Sequence, residues 1–530
     1  MSKLQKVIFI VIPVISLIGG LWQNQFIYDG YHWGFIHTNA LELLNGKEPY
    51  SEIFLEYGIL SVLVNSLLLI IFDKDLFSLI AFTCLCYSIS LYLIGKISYK
   101  LTKSSIYSFF LVAVIFLLYP WPTSPWSNFY SFMFSCIFIS SYLSENLKKS
   151  YIGGISLALA YLSLTTIFNF IITFYFLSII LIVILFKKIL PKKDVLKLKN
   201  VLVSFFFMIS IYFIYLIYQN LFDIWLVYQK LPFIFNDAFE GYSILGFLFK
   251  YANFVFLYPY KNFILEPQWS LYSIFIISNF FLICLNVKNL YTKYEIEINS
   301  KLLFINLYIF SLNFYGQVLG LEKLATTMSL GAISLMILII KIKSNDTKLI
   351  VNFIIIFISL YGLIFTFNLK DSKISGIRHA HLQELEGRDK KVKNKKFQYY
   401  KTQKWDKKKW DVLTAISEVQ NKINKNCKIK FGANLTVDNF YHSLIKYEKI
   451  QVIPFFFKHT GSILRSHIEP ELIFKIQDQI NKDNIFIITT EDNDKLFKLN
   501  DYDQPLLIEL QNKKVIKEYI KIFFPKNCYS

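Results

Sequence analysis

Three carboxylates stand close together early in this 530-residue chain: Asp29 in Tyr28-Asp-Gly-Tyr-His-Trp-Gly34, Glu52 just after Pro49-Tyr50, and Glu56 in Phe54-Leu-Glu-Tyr-Gly58. A carboxylate within hydrogen-bond reach of a hydroxyl can take its proton as the oxygen attacks an electrophilic carbon. If the departing group is anionic, the same site also needs cations or backbone donors to hold it. Candidate cations are Lys47, Lys74, Lys230, Lys250, Lys261 and Lys323, together with those of the C-terminal tail. All three arginines (Arg378, Arg388 and Arg465) belong to that tail, and Arg378 comes soonest after the last apolar segment.

Each of these residues also has a plain reading. Asp29 can simply solvate the chain where it leaves an apolar segment, and Glu56 can be an ordinary loop charge. His32 and His37 can pack in a folded loop, and Lys47 beside Glu48 reads as a turn charge. Lys230, Lys250 and Lys261 can mark a membrane interface by snorkelling. Glu322-Lys323 can pair with itself. His379-x-His381 has metal-like spacing but lacks neighbouring ligands, so no metal site and no cofactor is predicted.

The elements that must position these groups are membrane helices. The chain is 55% hydrophobic and 18% aromatic, with only 18% charged residues. Val7–Trp22, Leu76–Ile94, Phe168–Phe186, Val201–Tyr218 and Ile350–Phe367 carry no charge at all. Each approaches the roughly 20 residues needed to cross a hydrocarbon layer. Eleven spans are expected, at 7–22, 76–95, 105–119, 128–143, 151–166, 168–186, 200–219, 269–286, 302–317, 325–340 and 349–368. The apolar segment 59–72 is short and is read as lying at the membrane surface. With a cytoplasmic N-terminus, the inner segments of 1–369 collect 19 Lys against 5 acids, and the outer ones 6 Lys against 12 acids. That is a positive-inside distribution. It also accounts for the net charge of +19 without invoking nucleic acid. Lys3 and Lys6 precede the first span with no small-residue cleavage site after it, which reads as an uncleaved helix.

An odd number of spans puts the tail outside. Residues 1–369 form the membrane domain, with a first outer loop at 23–75 and an aromatic second outer loop at 220–268. Residues 370–410 read as a basic linker and 411–530 as a small α/β domain, long enough for one core. Within it, helical spacing covers Asp411–Ile423 and Pro470–Ile480, and Lys428–Phe431, Ile450–Pro454 and Asn484–Thr490 read as strands. Cys84, Cys86, Cys136 and Cys284 lie in apolar segments and read as small core residues. Cys427 and Cys528 sit in the tail and are read as two free thiols rather than a disulfide.

In the first outer loop a short amphipathic helix runs through Ala40–Leu44, and Asn45-Gly46 is its stop signal. Pro49-Tyr50 starts an extended return, and Tyr57-Gly58 leads into 59–72. This order resembles the first-loop pattern of GT-C glycosyltransferases, the relatives of protein O-mannosyltransferases and of the lipid A aminoarabinose transferase. The matching features are an acid just past helix one, Leu43-Leu-Asn-Gly46, Pro49-Tyr50, and an aromatic-x-x-Tyr-Gly before an apolar segment, all within 28–58. The resemblance implies eleven to thirteen membrane helices, surface-lying helices in the first loop, often an outer C-terminal domain, and a sugar donor on a polyprenyl phosphate. It implies Asp29 as the base that activates the acceptor, with Glu56 as a second acid. The commonest pattern has two adjacent acids, whereas here Gly30 follows Asp29. His32, Tyr50, Tyr57, Lys230, Lys261 and Arg378 are the expected substrate-binding residues. The expected partners are a polyprenyl-phosphate-linked sugar, membrane lipid, and a glycan, lipid or protein acceptor, at the plasma membrane.

A flippase or transporter for lipid-linked glycans is the alternative. Ion-driven transport usually leaves charges within the helices. Here the polar residues of the spans are mainly Asn169, Asn279, Asn306, Asn313, Gln317 and Asn352. A polysaccharide polymerase or ligase is the third reading. Its dependence on arginine in an outer loop does not fit a membrane domain that has no arginine.

Overall fold

A computed structural model describes residues 3–25, 32–53, 55, 58–226, 229, 252, 267–318, 329–342 and 345–368 of the membrane part. In the tail it describes 392–393, 404–405, 407–423, 427–434, 441, 444–449, 477–478, 485–490, 506–510, 518–525 and 528. Thirteen helices are described before the tail. They are α1 (Lys3–Gln23), α2 (His32–Leu44), α3 (Ile59–Ile71), α4 (Phe77–Thr102), α5 (Ser105–Leu118), α6 (Ser127–Tyr142) and α7 (Lys148–Ser163). After them come α8 (Thr165–Phe186), α9 (Lys192–Tyr218), α10 (Pro267–Tyr291), α11 (Ile296–Val318), α12 (Gly331–Lys341) and α13 (Asn345–Asn368).

Each of the eleven expected spans contains a described helix, and the two additional helices, α2 and α3, belong to the first loop. Among the described residues, four stretches are both long and apolar enough to cross a membrane: Phe77–Thr102, Phe168–Phe186, Lys192–Tyr218 and Leu271–Tyr291. Their outward faces give the solvent away. On α8, Leu177, Ile180, Leu181, Ile184 and Leu185 are all exposed, and on α9 so are Val203, Phe207, Ile214 and Ile217. Apolar faces this continuous are stable only against hydrocarbon. The chain is a polytopic α-helical protein integral to a membrane.

Several boundaries differ from expectation: α9 begins at Lys192 rather than 200, α11 begins at Ile296 rather than 302, and the described helix within 325–340 begins at Gly331. α7 ends at Ser163 rather than 166, because Leu164 (φ −148°, ψ 55°) leaves helical geometry before α8 begins at Thr165. The first-loop helix starts at His32, eight residues before Ala40, since Trp33, Phe35 and Ile36 are all buried and extend its packed face. Interhelical hydrogen bonds tie the bundle internally. Asn279 Nδ2 donates to Ser334 Oγ (2.7 Å) and Ser334 Oγ to Asn306 Oδ1 (3.1 Å), linking α10, α12 and α11. Ser135 and Tyr308 share a hydroxyl–hydroxyl bond of 2.7 Å between α6 and α11. Such bonds hold helices together where no hydrophobic force acts between them. Cys84, Cys86 and Cys136 are buried as expected, but Cys284 lies on an exposed face of α10.

In the tail, α14 (Lys407–Lys422) precedes a five-stranded sheet of order β4-β3-β5-β7-β6. The strands are β3 (Phe431–Asn434), β4 (Glu448–Lys449), β5 (Ile485–Thr490), β6 (Leu506–Leu510) and β7 (Glu518–Phe523). β3 runs parallel to β4 and β5, whereas β7 runs antiparallel to β5 and β6. A further antiparallel pair, β1 (Val392–Lys393) with β2 (Lys404–Trp405), lies within the stretch read as linker. β3 starts where the expected strand 428–431 ends, because its burial runs from Phe431 through Asn434. β6 and β7 escaped the sequence reading, although buried Ile520 and Ile522 alternate with Lys521 in β7. Residues 450–454 and most of 470–480 lie outside the described residues.

Cys427 and Cys528 form a disulfide, with Cα atoms 5.6 Å apart, so the expectation of two free thiols is corrected. The topology explains the pairing. Cys427 precedes β3 and Cys528 follows β7, and β7 is antiparallel to β5, which is parallel to β3. The start of β3 and the end of β7 therefore fall at the same end of the strands, although 101 residues separate the cysteines.

Candidate functional site

The first loop is a packed element. α2 buries Trp33, Phe35, Ile36, Ala40 and Leu41. The Trp33 indole N–H donates to the Thr123 carbonyl at 3.1 Å, and the His37 ring Nε2 sits 3.4 Å from the Lys74 carbonyl oxygen. α2 stops where the sequence signals it: Gly46 takes φ +86°, and the Asn45 and Lys47 amides donate back to the Leu41 and Glu42 carbonyls, both at 3.0 Å. A left-handed residue after the last turn is the usual way to satisfy terminal carbonyls, and glycine adopts it without steric cost.

The Pro49-Tyr50 pair then closes a tight turn. The Tyr50 amide donates to the Ile53 carbonyl at 3.0 Å, and Tyr50 itself is held at φ 69°. Its side chain is buried, and its hydroxyl meets that of Tyr212 on α9 at 2.6 Å. Glu52 braces this turn: one carboxylate oxygen accepts from the Glu48 amide at 2.8 Å and the other lies 3.2 Å from Lys47 Nζ. Lys47 is thus paired with Glu52, and Glu48 accepts from the Ser51 hydroxyl at 2.6 Å.

Gly58, the glycine of the Tyr-Gly pair, lies backbone to backbone against the end of α7. Its amide donates to the Ser163 carbonyl at 3.0 Å, and a Cβ at this position would sit 1.9 Å from the Leu162 carbonyl oxygen. Only glycine permits that approach. α3 follows directly and buries Ile59, Ser61, Val62, Asn65, Ser66, Leu68 and Leu69, while Leu63, Leu67, Ile70 and Ile71 face outward. The Ser66 hydroxyl donates to the Ala40 carbonyl of α2 (3.0 Å), and the Tyr130 hydroxyl on α6 donates to Asn65 Oδ1 (2.8 Å).

Between α2, α3 and the start of α6 lies a recess of about 10 Å³, room for a single water. Phe35, Ile36, Asn39, Leu55, Ser61, Val62, Asn65, Pro125 and Ser127 line it. Four of these nine are polar, so the recess can bind a water or hydroxyl by hydrogen bonds. Leu55, on its wall, is covalently followed by Glu56. Asn39, Asn65, Ser127, Tyr130 and Tyr212 had not been singled out by sequence. Asn65, with Ser61 and Ser66 the polar residues of an otherwise apolar 59–72, was the one available signal.

Among the residues expected from sequence, Tyr50 is fully placed: it pins the turn to α9. His32 opens α2 as its first helical residue. Asp29, Glu56, Tyr57, Lys230, Lys261 and Arg378 lie outside the described residues. No cluster of three or more metal-ligating side chains occurs among the described residues.

No family model matches the chain, and no curated protein matches it. Among solved structures, it is similar to the crystal structure of ArnT from Cupriavidus metallidurans bound to undecaprenyl phosphate. The likeness has a TM-score of 0.44 at 7% sequence identity and covers 97% of each chain.

Proposed function

We propose that this chain is an integral-membrane glycosyltransferase of GT-C type. It would move a sugar from a polyprenyl-phosphate carrier to a hydroxyl of an extracytoplasmic acceptor. The observation that carries this reading is the way the first loop is built. Every part of the 28–58 pattern that is described has a structural task there: Gly46 turns the chain, Tyr50 anchors it to α9, and Gly58 fits it against α7. A loop pinned at this many points is a scaffold able to hold acids in register with a membrane-borne substrate. Leu55, bonded to Glu56, shares one recess with Phe35 and Ile36 of α2, the helix that begins three residues after Asp29. At about 3.6 Å per extended residue, Asp29 lies within roughly 11 Å of His32 along the chain.

In the proposed reaction, Asp29 takes the proton of the acceptor hydroxyl as its oxygen bonds to the anomeric carbon. The bond from that carbon to the phosphate oxygen breaks, and the polyprenyl phosphate leaves with the electron pair. Glu56 orients the acceptor, His32 and Tyr57 shape the sugar pocket, and Tyr50, buried against Tyr212, holds the loop that joins them. Lys230, Lys261 and Arg378 neutralise the departing phosphate. No metal enters this scheme. The proposed orientation has the N-terminus cytoplasmic and the tail outside, in a plasma membrane. Two observations support it: the lysine bias of the loops, and the Cys427–Cys528 disulfide, which persists in an oxidising compartment.

The test is sugar incorporation in membranes expressing the chain, supplied with a panel of labelled polyprenyl-phosphate sugars, comparing it with Asp29→Asn. The expected result is transfer by the native chain and its loss in an Asn variant that inserts at normal levels. Equal incorporation by both would remove Asp29 from the mechanism. Movement of labelled lipid between leaflets without transfer would replace the transferase by a flippase.

A further inference from the structure

The recess beside the first loop is built at a helix N-terminus. α6 begins at Ser127 after Trp126 at its N-cap position, and no side chain caps it. The backbone amides of Ser127 and Asn128, in the first turn, donate no hydrogen bond among the described residues. The first amides of a helix have no acceptor within it, and they carry the positive end of its dipole. A separate feature also points to a ligand. Ser127 lines the recess, is only 1% exposed, and its hydroxyl has no hydrogen-bond partner. Asn65 of α3 lines the same recess, and its side-chain oxygen is taken by the Tyr130 hydroxyl at 2.8 Å. What Asn65 has left to offer there is its amide N–H, a donor.

The same electrostatic setting recurs at the next helix start. α8 begins at Thr165, also without a side-chain cap, and the buried Thr165 hydroxyl has no partner either. Ser163, two residues earlier, accepts from the Gly58 amide, and its carbonyl oxygen lies 3.5 Å from the hydroxyl of Ser61, another residue of the recess. Two uncapped N-termini therefore lie beside the start of α3. Donors buried without an acceptor are costly, and here they gather where helix dipoles favour negative charge. The group that answers them is an acceptor oxygen bearing negative charge, as a phosphate offers. The recess, partly open and about 10 Å³ in volume, admits one such oxygen.

We propose that the recess is the subsite for one non-bridging phosphate oxygen of the polyprenyl-phosphate donor, with Ser127 and Asn65 as binding residues. The identity of the ligand rests on the transferase reading. The oxygen accepts from Ser127 Oγ, from Asn65 Nδ2 and from the first-turn amides of α6, while the rest of the phosphate stays outside the recess. When the bond from the anomeric carbon to the phosphate breaks, negative charge on the phosphate oxygens rises. These fixed donors then hold the departing phosphate more tightly than the intact donor, which lowers the barrier to transfer.

The test uses the full chain, purified in a neutral detergent and stripped of lipid. Thermal unfolding is followed while undecaprenyl phosphate, undecaprenol, phosphatidic acid or inorganic phosphate is titrated in. The expected result is a saturable upward shift with undecaprenyl phosphate and none with undecaprenol. Ser127→Ala removes one hydrogen bond to a charged group and should weaken that binding about tenfold. Without ligand it should unfold at the native temperature, because the hydroxyl has no partner in the protein to lose. Asn65→Asp keeps an oxygen for the Tyr130 hydroxyl but meets the phosphate with a like charge, so binding should be lost. Native affinity in either variant would overturn the subsite, as would an equal shift with undecaprenol. Phosphatidic acid or inorganic phosphate matching undecaprenyl phosphate, with the same dependence on Ser127, would overturn the carrier as its ligand. Sugar transfer measured on the same preparations keeps the two readings apart. Transfer together with native binding in Ser127→Ala removes the subsite alone, whereas Ser127-dependent binding without transfer removes the transferase alone.

Discussion

Replacing Gly58 by alanine should disable the first loop more severely than a one-carbon change ordinarily would. The new Cβ would lie 1.9 Å from the Leu162 carbonyl oxygen and 2.5 Å from its carbon, where ordinary contact begins near 3.4 Å. The obstacle is backbone, so no rotamer change relieves it, and the loop must withdraw from α7 by about 1.5 Å at this point. Withdrawal breaks the hydrogen bond from the Gly58 amide to the Ser163 carbonyl, worth about 1 kcal/mol, and overpacking adds about 1–3 kcal/mol. Because the proposed second acid, Glu56, is two residues away, the larger effect is expected on the proposed sugar transfer. A displacement near 1 Å can cost about a hundredfold in rate. The assay is sugar transfer at matched protein levels alongside thermal unfolding. Gly46→Ala serves as the comparison: its φ of +86° imposes strain, but nothing lies within 4 Å of the added carbon. It should cost about 1 kcal/mol of stability with transfer largely kept. Native transfer and stability in Gly58→Ala would refute the claim that this contact positions the loop.

The remaining expectations concern three anchors. Tyr50→Phe or Tyr212→Phe alone should destabilise by about 1 kcal/mol, because each removes one hydrogen bond of a buried hydroxyl pair, and a double-mutant cycle of thermal unfolding will read the coupling between them. Cys528→Ser opens a 101-residue loop, so the tail should lose about 2–4 kcal/mol, measured by denaturant unfolding of the full chain with and without reductant. The hydrogen bonds from Lys193 and Lys301 hold the Glu145 carboxyl at about 2, against an ordinary 4.5. A depressed carboxylate contributes its stability above the unfolded value and loses it as pH falls through the folded one. The contribution should therefore be intact above pH 4.5, decline toward pH 2 and vanish in Glu145→Gln. Glu145 is well exposed, so the effect should be small and fade with added salt.

What the amino-acid sequence determined by itself was local in origin. Whether a segment crosses hydrocarbon depends on the length and apolarity of that segment alone, so a described helix falls in each expected span, although some begin six to eight residues away from the expected start. The stop at Asn45-Gly46 was equally legible, since a left-handed turn is a property of the glycine that adopts it. Tertiary structure decided everything that joins distant residues. Tyr50 meets Tyr212 across 162 positions, and Asn65 meets Tyr130 across 65. Gly58 is required because α7 ends beside it, a fact that no property of residues 54–58 contains. The disulfide was misjudged for the same reason: cysteine spacing carries no distance until β7 is laid antiparallel to β5 and brings the two sulfurs to one end of the strands. The lysine–glutamate cluster likewise read as separate inner-loop charges until helix packing set α9 and α11 on either side of Glu145. Partition into a membrane is a sum over neighbours along the chain, whereas a site is a coincidence of chain segments that only the packed bundle brings about.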